Sequence, residues 1–165
     1  MEQPITRRAA LVTLGAVGVA VAGQALGVPA RAAAQEAAQA LGRQESVQDG
    51  LKRVFGGRPM KDGTSVIKLD IPPIAENGAV VPVSVEVNAP MTPASYVKNI
   101  WIVADKNRIP IVAKATLTPD AGQAFVGANI RLGETTDVRA VVEQSDGTLL
   151  TAKREVKVTV GGCGG

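Results

Sequence analysis

The sequence predicts an all-β protein: an immunoglobulin-like antiparallel β-sandwich with a short N-terminal helical segment and a flexible C-terminal Gly-Gly-Cys-Gly-Gly arm. Three observations carry this. From residue 64 onward, about seven short runs alternate apolar and polar residues, the period of a half-buried strand. Turn signals separate them at near-regular spacing, with no helix-length segment between. Aromatic residues make up only 2% of the chain, so the core has to be aliphatic. A small barrel is the alternative way to close such strands.

The first 34 residues read as a leader. Arg7-Arg8 precedes an apolar run from Leu11 to Leu26, and small-residue cleavage sites follow after Ala32 or Ala34. A charged start, a short apolar middle and an A-x-A end make a secretory signal. The twin arginine after Thr6, with a mildly hydrophobic middle, resembles the Tat type, which exports folded proteins. The run is short for a membrane span of about 20 residues. The expectation is export to a bacterial periplasm, with no membrane attachment after cleavage. About 131 residues then remain, enough for one packed core.

Residues 35–60 form the expected helical segment, ending at Gly56-Gly57 with Pro59 just beyond. Residues 61–160 form the sandwich. Its strands are expected at Ile67–Ile71, Val81–Val87, Val97–Ala104, Ile109–Leu117, Ala124–Leu132, Val138–Glu143 and Leu149–Val160. Pro82 places its strand at a sheet edge or places the proline at the strand start. Asp146-Gly147 is a hairpin signal before the last strand. Trp101 reads as core or subunit interface, and Lys106 and Arg108 as a solvated turn.

Composition excludes several functions. The chain has no histidine and one cysteine, Cys163. Ser-His-Asp and Cys-His catalysis, histidine-ligated metals, an internal disulfide and a multi-cysteine metal site are all excluded. Lys+Arg is 18 and Asp+Glu is 15. Three of those arginines and one glutamate (Arg7, Arg8, Arg31, Glu2) lie in the leader, so the remainder is close to neutral. A basic face for nucleic acid is not expected.

The chemistry therefore falls on the tail. Gly161, Gly162, Gly164 and Gly165 bracket Cys163 directly after the last strand. Glycine samples φ of either sign, so residues 161–165 read as a swinging arm, roughly 10 Å from Val160 to Cys163 at about 3.3–3.6 Å per residue. Neighbours without side chains leave the sulfur slender enough to enter a narrow channel. A thiol acts through its thiolate, and no histidine or second cysteine stands in the chain to activate it. It reads as an attachment site rather than a catalyst.

The leader around Thr6-Arg7-Arg8, the β-rich body and the terminus Gly161-Gly162-Cys163-Gly164-Gly165 together resemble the SoxY family. So do Ala75-Glu76-Asn77-Gly78-Ala79-Val80-Val81-Pro82-Val83 and Arg154-Glu155-Val156-Lys157-Val158-Thr159-Val160. SoxY is the sulfur-carrier subunit of the periplasmic thiosulfate-oxidising Sox system. The resemblance implies covalent sulfur intermediates on Cys163 and no separate cofactor. It implies SoxZ as partner, in a heterodimer that a disulfide could join into a heterotetramer. It implies transient encounters with the SoxXA cytochrome, the SoxB hydrolase and the SoxCD sulfur dehydrogenase. A second class of reading is a periplasmic immunoglobulin-like assembly or adhesion module whose cysteine forms an intermolecular disulfide.

Overall fold

A computed structural model describes residues 44–162 of the chain. The leader with Arg7 and Arg8, the first part of the predicted helical segment, and Cys163, Gly164 and Gly165 lie outside the described residues.

Helix α1 spans Val47–Phe55. Its ends are written locally. Ser46 caps the start: its Oγ accepts from the Asp49 backbone N–H at 3.1 Å and donates to Asp49 Oδ2 at 2.7 Å. Gly56 stops it at φ 63°, where a Cβ would be strained, and returns its N–H to Lys52 O. The expected stop at Gly56-Gly57 is met. Outside the helix, Glu45 takes Arg53 in a two-pronged pair at 2.7 and 2.8 Å.

Nine strands follow: β1 Met60–Asp62, β2 Ile67–Asp70, β3 Ile74–Asn77, β4 Val81–Val87, β5 Val97–Ala104, β6 Ile111–Thr116, β7 Ala124–Ile130, β8 Thr136–Gln144 and β9 Leu149–Val160. All seven expected strands are present. The two unexpected ones, β1 and β3, both pair parallel with β9. β2, β4 and β7 make the smaller sheet, antiparallel throughout. The larger sheet runs β1-β9-β8-β5-β6, with β3 added to the far half of β9. The two sheets face each other as a sandwich.

Pro82 sits second in β4, the central strand of its sheet. The ladder from β2 ends at Asp70↔Ser84, so no neighbour on that side asks Pro82 for an N–H. The strand-start expectation holds and the sheet-edge one does not.

Alternation along the strands builds two apolar layers. Val83, Val85, Ile100, Ile102, Ala104, Val138, Ala140, Val142 and Val156 fill the space between the sheets. The opposite faces of β5 and β8 carry Trp101, Val103 and Val141, which pack under Leu51, Val54 and Phe55 of α1. β5 is thus buried on both faces, which is why its residues Ile100–Ala104 are uninterruptedly apolar. Phe55 meets Trp101 edge-to-face at 4.8 Å between ring centroids, and Lys114 Nζ stands 5.4 Å above the same indole. Such an aromatic pair contributes about 0.5–1.5 kcal/mol beyond its burial. Trp101 belongs to the core, as its sequence context suggests.

A polar chain ties the segment after α1 to the larger sheet. Arg58 Nη1 donates to Glu143 Oε1 at 2.8 Å, Asn99 Nδ2 donates to Glu143 Oε2 at 2.7 Å, and Thr116 Oγ1 donates to Asn99 Oδ1 at 2.8 Å. Burial pushes the Glu143 carboxyl up, but the bonds from Arg58 and Asn99 outweigh it and leave the group below its ordinary value. A depressed carboxyl adds stability above its unfolded-state pKa, and loses it as pH falls through the folded value. The Glu143→Gln variant is therefore expected to be less stable at neutral pH, with the difference from wild type shrinking in acid. Urea midpoints measured across that range check it.

Candidate functional site

The last strand does not run into open solvent. β9 ends at Val160, and the next two residues are held against two loops. The first is the turn after β3, where Asn77 Oδ1 accepts from the Ala79 N–H at 2.9 Å. The second is the β7–β8 connection through Leu132 and Gly133. Gly78 N–H donates to Val160 O at 2.7 Å, and Gly78 O accepts from Leu132 N–H at 2.8 Å. Leu132 O accepts from Gly162 N–H at 3.0 Å, closing the ring. Three backbone segments far apart in sequence are joined there by main-chain bonds alone.

Such close approach needs bare Cα atoms. A Cβ on Gly78 would overlap Leu132 O and stand 2.9 Å from Gly162 N. One on Gly161 would overlap Gly133 O. One on Gly162 would stand 2.6 Å from Gly78 O and 2.7 Å from both the N and the Cα of Ala79. None of the three adopts positive φ. They are glycines because a neighbouring backbone occupies the side-chain position, not because the chain bends there.

Side chains brace this ring. Asn107, nearly buried in the β5–β6 connection, donates from Nδ2 to Arg131 O at 2.7 Å and accepts at Oδ1 from the Gly133 N–H at 3.4 Å. Its amide spans the loop that holds Gly162. Thr135 Oγ1 accepts from the Val158 N–H at 3.0 Å, and buried Thr136 accepts from the Lys106 N–H at 3.0 Å. Beside the same connection, Arg139 grips Asp105 with two nitrogens, Nε at 2.7 Å.

The expected site residues divide accordingly. Gly161 and Gly162 are not swinging tether. Gly162 is buried and bonded, and Gly161 abuts Gly133, which corrects the placing of the arm's root at Val160. The physical reason is that glycine serves close packing as readily as freedom. Cys163, Gly164 and Gly165, and Arg7 and Arg8, fall outside the described residues. Of the basic run on β9, Lys153 pairs with Asp137 at 2.9 Å, while Arg154 and Lys157 are exposed. Lys106 and Arg108 lie in a turn, as expected. Sequence reasoning missed Gly78, Leu132, Gly133 and Asn107. Asn77-Gly78 does carry a turn signal, but nothing local says that the tail returns to it. Among the described residues, no cluster of acidic or sulfur side chains could hold a metal ion.

Comparison with known proteins agrees with this architecture. The family model described as sulfur oxidation protein SoxY matches residues 51–163, so the match ends on Cys163 itself. The sulfur carrier protein SoxY from Chlorobium limicola f thiosulfatophilum is similar in structure, with a TM-score of 0.58 and 35% identity over 70% of this chain and 97% of that one. A superoxide reductase (neelaredoxin) from Ignicoccus hospitalis matches with a TM-score of 0.50 and 17% identity, over 56% of this chain and 80% of that one, and shares the fold alone. No match was found among curated proteins.

Proposed function

The chain belongs to the SoxY family, and we propose that it is the periplasmic sulfur carrier of a thiosulfate-oxidising Sox system, holding sulfur intermediates covalently on Cys163. The observation that carries this reading is the family match, which spans the sandwich and reaches the chain's single cysteine. The chain itself is a non-catalytic subunit. Its chemistry is that of one thiol presented to enzymes.

Loading joins the thiol to thiosulfate: RSH plus thiosulfate gives R–S–S–SO3⁻, one proton and two electrons. The electrons leave to the SoxXA cytochrome. Hydrolysis by SoxB adds water to the sulfonate sulfur and breaks its bond to sulfane sulfur, releasing sulfate and two protons and leaving R–S–S⁻. SoxCD, where present, oxidises that sulfane, and a second hydrolysis returns the thiol. The slender glycine neighbours suit entry of the adduct into each enzyme. SoxZ is the expected stable partner, and export as a folded pair fits the Arg7-Arg8 leader.

Reconstitution tests the reading. With partner subunit, cytochrome, hydrolase and thiosulfate present, sulfate should appear, and should cease when this chain is left out. Sulfate production that continues without the chain overturns it. A permanent disulfide dimer, indifferent to thiosulfate, would favour the assembly module instead.

A further inference from the structure

We propose that the enzymes acting on Cys163 dock on the body of the sandwich around Gly162, on a surface centred on Val80 and Val160; this rests on the carrier reading above. The argument is one of reach. Gly162 is held to Leu132 O, and its Cα is hemmed by Gly78 and Ala79. Across one trans peptide, the Cα of Cys163 stands about 3.8 Å from that of Gly162. Its sulfur is only two bonds further out. An enzyme that brings catalytic groups to that sulfur must therefore touch the surface beside Gly162, and cannot collect the thiol at a distance.

That surface has a distinct character. Val160 is 62% exposed and Val80 60% exposed, more than any other large apolar side chain among the described residues. Both flank Gly162. Val160 precedes it by two residues, and Val80 follows Ala79, whose backbone lies against Gly162. Val160 points to the side that buries Val156 and half-buries Val158, but the core has ended beneath it. Single exposed valines are ordinary, whereas the two most exposed ones meeting at the exit of the only thiol are not. Small apolar contacts suit a transient partner that must release the carrier after each step. The occupant is thus an enzyme whose active-site entrance has an apolar rim.

The test uses the full heterodimer loaded at Cys163. In Val80→Ser/Val160→Ser, hydrolase-catalysed sulfate release should fall at least tenfold in kcat/KM, mainly through KM. Alkylation of the free thiol by iodoacetamide and the melting temperature should stay at wild-type values. Phe125→Ser and Ile109→Ser, which remove exposed apolar groups elsewhere (50% and 47% exposed), should leave sulfate release unchanged. An unchanged KM in the double variant overturns the docking surface, as does an equal fall in the two controls. Dissociation of the heterodimer would assign the valines to the partner subunit and overturn it too. Failure of the wild-type protein to load at all would instead count against the carrier reading.

Discussion

Cys163→Ser is expected to abolish covalent loading by thiosulfate and to stop sulfate production, while leaving the melting temperature unchanged. The loss should be complete, because the chain has no second cysteine to take over and no histidine or metal cluster among its described residues to support another route. A serine hydroxyl does not undergo oxidative coupling to sulfur, so the variant keeps shape and removes chemistry. Stability should be indifferent. The core lies between the sheets and beneath α1, and the last residue bonded to it is Gly162. Sulfate production and calorimetry on the same preparation separate the two effects.

Gly78→Ala is expected to be the most damaging single methyl addition near the tail. The new Cβ would overlap Leu132 O and crowd Gly162 N, and both are backbone atoms that cannot rotate away. Overpacking of this kind costs about 1–3 kcal/mol. The consequence reaches function because the same bonds hold the root of the arm. If the ring opens, Leu132 O loses Gly162, and the thiol leaves a defined exit for a range of positions. Amide exchange at Gly162 should accelerate before exchange in β5 and β8, the strands buried on both faces. Gly127→Ala is the control. Its Cβ would meet only the Phe125 ring at 3.7 Å, and it should change stability by less than about 0.5 kcal/mol. Equal exchange at Gly162 in both variants would contradict the clamp.

Much of this molecule is legible in its residues. Val81–Val87 and Leu149–Val160 display period two over seven and twelve positions, long enough for the pattern to declare a strand. β1 and β3 have three and four residues, too few to show any period, and both owe their existence to β9. Their parallel pairing is a tertiary fact that no local signal encodes. The same limit explains the tail. Gly161 and Gly162 announce that side chains are unwelcome, but glycine gives one signal for freedom and for crowding. The partners that decide it, Gly78 and Gly133, lie 83 and 28 positions upstream of Gly161. Asn107 is hidden for a similar reason. In sequence it is an ordinary turn residue, and only the fold brings the Arg131–Gly133 loop to its amide. The chemistry was easier to find, because one thiol in a chain without histidine leaves few alternatives.

Intact mass spectrometry of the protein from cells grown with and without thiosulfate, before and after reductant, tests the central claim most directly. Carriage on Cys163 predicts masses raised by sulfur and sulfur–oxygen groups in thiosulfate-grown cells, mapping to the C-terminal peptide and removed by reductant. A bare or simply disulfide-linked Cys163 in both conditions would contradict it.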